Sequence, residues 1–423
     1  MDRQLAAAVI ASFRDSDAAD HRIRLRSFSV RRWQHSLYWL DASGLALYWL
    51  KRLQLLNIED AVPGSIRLEL KQRHSDNRQR TAALFEEFAR LNAAFHNAGF
   101  PYVNLKGFGL VPDYCPDITL RYQMDFDFLV GNHDAAKCHA VLNALGYAPV
   151  AINRDVLEFK TDAGRTPSIR DLYKTRPQRA VEIHLSQVHS FEFHPALLGR
   201  NRCMAMQGGL YPCLLAEDMF IAQACHILRH LRSEWTRLSW LLEFKNCIDR
   251  RRDDNAFWRA VRDKAALNPT VSLAVNAAAR IVSKTFGVPT PVELTNAAGA
   301  GISADVALWI ECYGNDALLA DFPGSKLYLI LEGAITGEKG ASRIRDRLFP
   351  RRPPAPIVPV PPGRLLRLWA FWTQFAYFYV RLRFHITAGL RYFFAARHWR
   401  HLRAQAAQGQ LHCPPNCITN TAR

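Results

Sequence analysis

The first hundred residues carry apolar side chains at the helical period. Leu5, Val9, Ile10 and Phe13 form one short apolar face, and Asp41 and Ser43 offer caps for a helix that buries Leu47, Leu50 and Leu53. Pro63-Gly64-Ser65 breaks this pattern and caps a long helix from residue 66 to about 98. Its second half sets Leu84, Phe88, Leu91 and Phe95 on one side, and Gly99 and Pro101 end it. From Phe100 the period changes. Residues 102–105 read as a strand, followed by a Lys106-Gly107-Phe108-Gly109 turn that leads into a helical turn near Val111. A second strand lies within 119–130, a third at 156–160 and a fourth at 180–185. Between the second and third, Asn132 caps a helix with Ala135, Cys138, Val141, Leu142 and Leu145 inward, stopped by Gly146. After Pro195 the helical period returns and holds, with helices near 216–231, 235–247, 257–267, 271–286, 304–319 and 327–335. The pattern predicts an α+β fold, a mixed β-sheet core flanked by N- and C-terminal helical regions. The expected division is a helical region at 1–99, an α/β core at 100–195, a second helical region at 196–345, a Pro/Arg-rich linker at 346–363 and a basic aromatic helical tail at 364–423.

One stretch departs from simple core patterning. In Arg121-Tyr122-Gln123-Met124-Asp125-Phe126-Asp127-Phe128-Leu129-Val130 two carboxylates sit two residues apart in a strand-like run. Strand side chains alternate, so Asp125 and Asp127 share a face while Met124, Phe126 and Phe128 point to the core. Two like charges held side by side repel, and a divalent cation resolves the conflict. Mg²⁺ prefers one or two carboxylates together with substrate phosphates. Glu182 and His184 share a face of the fourth strand and bring a third carboxylate. Three carboxylates on adjacent strands can hold two Mg²⁺ (or Mn²⁺) ions, one on a triphosphate and one on an acceptor hydroxyl. Gly107 lets the backbone approach phosphate closely, and Lys106 or Arg121 can neutralise developing charge.

Leu105-Lys106-Gly107, then Arg121-x-x-x-Asp125-x-Asp127-x-Leu129-Val130, then Gly146-Tyr147, then Glu182-Ile183-His184 together resemble the uncharacterised nucleotidyltransferase family of the polymerase-β-like superfamily. A following helix with paired histidines corresponds to Glu217-Asp218 through His226 and His230. The resemblance covers residues 30 to 250 or so. It implies Asp125 and Asp127 as metal ligands, Glu182 as third ligand or general base, and Lys106, Gly107 and Arg121 around the nucleotide phosphates. His184, His226 and His230 would face substrate. The implied reaction moves NMP from an NTP to an acceptor that the sequence does not specify. Phe108 stands where the wider superfamily has a second small residue. That feature favours the alternative, a non-catalytic nucleotide- or partner-binding protein of the same fold.

Charge alters this picture only at the C-terminus. The 423 residues carry a net +17. Between Arg343 and Arg403 there are 13 Arg, no Lys and one acid, Asp346, a net of +12 (13 − 1). The remaining +5 is ordinary, so the charge gives the whole chain no nucleic-acid code. Pro350 to Pro362 favours polyproline II. Beyond it, residues 368–380 are aromatic and charge-free, a run of 13 that is short of the ~20 needed to span a bilayer. Two arrangements suit residues 364–404: packing on the body with arginines turned outward, or peripheral contact with an anionic membrane. Nine scattered cysteines without a Cys-x-x-Cys pair, and a start without a signal peptide, point to reduced thiols and a cytoplasmic location.

Overall fold

A computed structural model describes residues 2–153, 155–161, 171–176, 179–295, 302–320, 323–350 and 364–408. Four short helices, α1 (Arg3–Ala11), α2 (Ala18–Arg26), α3 (Val30–Ser43) and α4 (Ala46–Leu55), precede the 34-residue α5 (Gly64–Asn97). Leu47, Leu50 and Leu53 are buried as expected. Asp41 and Ser43 cap nothing: they lie in the last turn of α3, which ends at Gly44 in the left-handed region. Asp41 instead accepts from Arg73 of α5 at 3.0 Å and from the Tyr173 hydroxyl at 3.1 Å.

Seven strands form one sheet: β1 (Tyr102–Asn104), β2 (Phe126–Val130), β3 (Ala148–Ile152), β4 (Val156–Lys160), β5 (Ala180–Leu185), β6 (Asn201–Met206) and β7 (Gly209–Leu214). Their order is β3-β4-β5-β2-β1-β7-β6. The pairs β2/β5 and β1/β7 are parallel and the other four antiparallel, so this is a mixed sheet in an α+β fold with helical flanks. Alternation along the central strands sends Phe126, Phe128, Val130, Val181 and Ile183 to one face. There they pack with Phe88, Leu91 and Phe95 of α5 and with Cys138 and Leu142 of α6 (Ala135–Ala144). Phe95 meets Phe128 edge-on at 5.0 Å between ring centroids. The opposite face carries Asp127, Glu182 and His184.

Two sequence expectations fail in this region. Strand β2, within the expected 119–130, begins only at Phe126, so Asp125 precedes it, and Met124 is 51% exposed instead of buried. The cause is competition for backbone carbonyls. The Asn77 amide of α5 donates to the Thr119 and Arg121 carbonyls at 2.7 and 3.1 Å, and Arg80 donates to Gln123 O. Arg237 donates to Tyr122 O at 3.4 Å. Residues 118–123 are thus held by side chains, with a 3₁₀ turn at Ile118–Leu120, in place of a strand ladder. Helices also do not take over after Pro195. Only the single turn α7 (Ala196–Gly199) precedes the β6/β7 hairpin, whose Gln207-Gly208 turn has two positive φ angles, the pattern of a two-residue hairpin turn.

Helices then follow: α8 (Ala216–Leu231), α9 (Leu238–Arg250), α10 (Asn255–Ala266), α11 (Pro269–Phe286), α12 (Val292–Thr295), α13 (Ala304–Leu318), α14 (Tyr328–Thr336), α15 (Ala341–Leu348) and α16 (Arg364–Ala407). The chain forms two compact units, Met1–Ile227 with Arg237–Gly301, and Leu228–Thr236 with Ile302–Arg423. The first holds the sheet. In the second, Glu332 is clasped by Arg232 at 2.7 and 2.9 Å and by Arg343 at 2.9 Å. The proline-rich run 351–363 and the Cys413/Cys417 pair lie outside the described residues. The seven described cysteines are free thiols. Among the described residues no helix is long and apolar enough to cross a membrane.

Candidate functional site

Parallel pairing of β2 with β5 aligns Asp127 directly with Glu182, and His184 follows two residues on along the same face. The result is a compact donor group. One ligand atom each from Asp127, Glu182 and His184 lies within 4.8 Å of the others. His184 Nε2 is 3.1 Å from Asp127 Oδ1 and 3.7 Å from Glu182 Oε2. The imidazole stacks on Phe193, centroids 4.7 Å apart and planes within 15°, which fixes the ring. His184 Nε2 is within hydrogen-bond distance of Asp127 Oδ1, and Nδ1 is buried without a hydrogen-bond partner.

Lys106 lies two residues past the end of β1, and its Nζ donates to Asp127 Oδ1 at 3.0 Å. Gly107 comes next with φ +63°, where a Cβ would sit 2.5 Å from Gln123 Nε2. Glycine is therefore required twice, for the left-handed backbone and for the close approach of Gln123. Gln123 Nε2 in turn donates to Asp125 O at 2.9 Å, so the turn and the carboxylate stretch brace each other. Phe108 points its bulk elsewhere. Its ring is buried against Phe88 and Phe85, at 4.8 and 5.3 Å, in the core under the sheet.

Electrostatically the site is short of positive charge. Burial, then the Asp125 and Asp127 charges, push Glu182 up to about 7. Glu158 on β4, aligned with Glu182 across the strand pair, pushes the same way. Burial and the neighbouring Asp127 likewise raise Asp125. Asp127 goes the other way. Burial opposes its ionisation, but Lys106 and His184 hold it well below the usual carboxylate range. Burial also opposes the Lys106 charge, and Asp127 and Asp125 outweigh it, so the ammonium is held above its ordinary value.

The remaining sequence-predicted residues distribute unevenly. Asp125 precedes β2 and interacts with Asp127 by charge, but it is not one of the three donors within 4.8 Å. Arg121 is engaged elsewhere: its Nε donates to Glu243 Oε1 of α9 at 3.0 Å, and the Tyr48 hydroxyl donates to the same oxygen at 2.9 Å. His226 and His230 lie on α8 and do not join the donor group. The buried His226 ring meets Trp240 edge-on at 4.6 Å. Several positioning residues carry no local signal. Arg80 and Arg237 hold the backbone of residues 122–123, and the Arg237 guanidinium covers the Tyr122 ring at 3.7 Å. Glu243 is 122 positions from Arg121, and only the fold brings them together.

The donor chemistry suits a divalent cation. The two carboxylates provide hard oxygen ligands of the kind Mg²⁺ and Mn²⁺ take, the imidazole adds a nitrogen donor beside them, and burial together with the neighbouring Asp125 and Asp127 charges disfavours ionised Glu182. The sequence signature of the uncharacterised nucleotidyltransferase family matches residues 29–287, more than half of the chain. The chain belongs to that family. The matched part of this nucleotidyltransferase-family chain runs from α3 through α11, so it contains the turn at Gly107, all seven strands and the whole donor group. No curated protein matches the chain.

Proposed function

We propose that the protein is a metal-dependent nucleotidyltransferase that moves NMP from an NTP to an acceptor and releases pyrophosphate. The observation that carries this reading is the donor group of Asp127, Glu182 and His184 within 4.8 Å, in a chain of this family. Asp127 and Glu182, with Asp125 beside them, would hold Mg²⁺ or Mn²⁺. When bound, the cation supplies neutralisation of triphosphate charge and a lowered pKa at the acceptor oxygen. The protein's own groups do the positioning. His184 fixes the Asp127 carboxylate through Nε2, and Phe193 fixes His184. Lys106 brings a cation to the edge of the carboxylates, where it can meet phosphate oxygens. Gly107 keeps the turn free of side-chain bulk, and Phe108, with its ring in the core, presents none there either. Glu182 stands on the same face, placed to accept the proton of an acceptor hydroxyl. Arg121, tied to Glu243, contributes through its field on Asp125 rather than as a free phosphate ligand.

One observation favours a second reading, a nucleotide- or partner-binding protein without turnover. The Lys106 ammonium pairs with Asp127 at 3.0 Å and offsets its charge. Pyrophosphate release from an NTP separates the two, and calorimetry of NTP binding with and without Mn²⁺ or Mg²⁺ tests the shared site, each comparing wild type with the Asp125→Asn/Asp127→Asn variant. The enzyme reading expects NTP binding that needs metal and is lost in the variant. Equal binding in both proteins, or none with either metal, contradicts it.

A further inference from the structure

The second unit carries a surface that nucleotide transfer does not use. Helix α16 is 44 residues long, and its two sides differ. Ala370, Phe384, Ala388, Trp399 and Leu402 are buried and share one side. On that half the helix is anchored: the Tyr313 hydroxyl donates to Ala395 O at 3.0 Å, and Arg403 pairs with Asp305 at 2.8 Å. The opposite side is an apolar stripe at spacings of three, four, seven and eight, one or two helical turns apart. It runs from Leu368 through Phe371, Phe375, Leu382 and Leu390 to Phe393, each 46–61% exposed. At 1.5 Å per residue it is about 38 Å long. Trp369, Trp372 and Tyr379 widen it, each more than half exposed. The C-terminal part of the stripe borders an open cavity of about 1290 Å³ beside α15, whose walls include Leu382, Leu390 and Phe393 together with Arg343 and Arg347.

Charge frames this stripe. Arg367 stands at its start, and Arg397 and Arg400 continue the same side past its end, with Arg383 on its margin. All four are exposed, and among the described residues none is in an ion pair. No acidic residue occurs after Asp346. We propose that α16 docks along the surface of an anionic lipid bilayer. Its aromatic stripe would enter the headgroup–acyl boundary, and its arginines would meet lipid phosphates and carboxylates. Tryptophan, tyrosine and arginine suit that boundary, each with an apolar body and a polar end. The helix lies on the membrane instead of crossing it, since no described helix is long and apolar enough to span. Single-stranded nucleic acid fits less well. It takes bases stacked on aromatics beside a continuous cationic track, whereas residues 368–380 hold no charge at all.

The test is co-sedimentation of the full-length protein with phosphatidylcholine vesicles, with and without phosphatidylserine. Two variants on the exposed side accompany the wild type, Arg397→Glu/Arg400→Glu and Phe371→Ser/Phe375→Ser/Phe393→Ser, each checked by circular dichroism. Wild type should pellet only with the anionic vesicles, and salt should weaken that binding. The arginine variant should bind about thirtyfold more weakly and the phenylalanine variant about a hundredfold. Binding that both variants retain, or no preference for anionic lipid, overturns the proposal. So does a wild type that ignores vesicles but binds single-stranded RNA, or one that forms a stable dimer which the phenylalanine variant breaks.

Discussion

Gly107→Ala tests how the turn and the carboxylate stretch are joined. The new methyl group meets two separate obstacles. It must adopt φ +63°, which costs about 1–2 kcal/mol for a residue with a Cβ. It would also lie 2.5 Å from Gln123 Nε2, closer than real Cβ contacts, and a tight 3.0 Å from Gln123 Cδ and Oε1, so Gln123 must move. Moving it breaks the 2.9 Å bond to Asp125 O, a loss of about 1 kcal/mol. The single variant should therefore lose about 2–3 kcal/mol in urea denaturation. Gln123→Ala alone should lose about 1 kcal/mol, because it removes the same hydrogen bond. In the double variant the bond is already gone and the clash relieved, so the loss should stay near that of Gly107→Ala. The cycle then shows a coupling of about 1 kcal/mol between the two positions. Additive losses would mean that Gly107 and Gln123 do not touch in solution. A Gly107→Ala protein within about 0.5 kcal/mol of wild type would refute the backbone argument as well.

Other perturbations probe neighbouring contacts. Glu243→Gln leaves the Arg121 guanidinium buried without its counter-charge and should destabilise the sheet-bearing unit by about 3–5 kcal/mol in the same assay; a loss under about 1 kcal/mol would show that the pair does not hold Arg121. His184→Phe preserves the stack on Phe193 but removes the hydrogen bond to Asp127, so Mn²⁺ affinity by calorimetry should fall about 10–100-fold, and unchanged affinity would deny His184 its positioning role. Hydrogen bonds from Arg232, together with the Arg343 contact, hold the Glu332 carboxyl below its ordinary 4.5. A depressed carboxylate stabilises the fold above the unfolded value and loses that contribution as pH falls through the folded one. Stability of the second unit should thus be flat from neutral pH to about 5 and decline below, and Glu332→Gln should flatten that acid limb. An identical acid limb in the variant would assign it to other groups.

Short-range pattern carried much of the architecture. Phe126, Phe128, Val181 and Ile183 alternate as strand residues over a helix that bears Phe88, Leu91 and Phe95 at helical spacing, and all are buried together. The shared face of Glu182 and His184 was readable for the same reason, since period two needs no knowledge of the partner strand. The start of β2 was not. Tyr122, Met124, Phe126 and Phe128 alternate without interruption in sequence, but Asn77, Arg80 and Arg237 capture the carbonyls between 119 and 123, and those donors come from distant segments. The β6/β7 hairpin was hidden because β6 mixes Asn201, Arg202, Cys203 and Met204 with no clean alternation, leaving only the Gln207-Gly208 turn as a signal. Motif spacing singled out Asp127, Glu182 and Lys106, which the fold brings together. It could not foresee that His184 would enter the donor group ahead of Asp125, or that Glu243 would claim Arg121. Both outcomes depend on strand register and on a contact spanning 122 positions.

The central claim is that Asp127 and Glu182, steadied by His184, bind a divalent cation. Electron paramagnetic resonance of Mn²⁺ titrated into the full-length protein tests it directly, because bound and free Mn²⁺ give different signals. Wild type should remove free Mn²⁺ signal at low metal concentration. Asp127→Asn/Glu182→Gln, folded by circular dichroism, should leave the signal as large as in buffer. Equal depletion by the two proteins, or none by wild type even with an NTP present, would contradict the account.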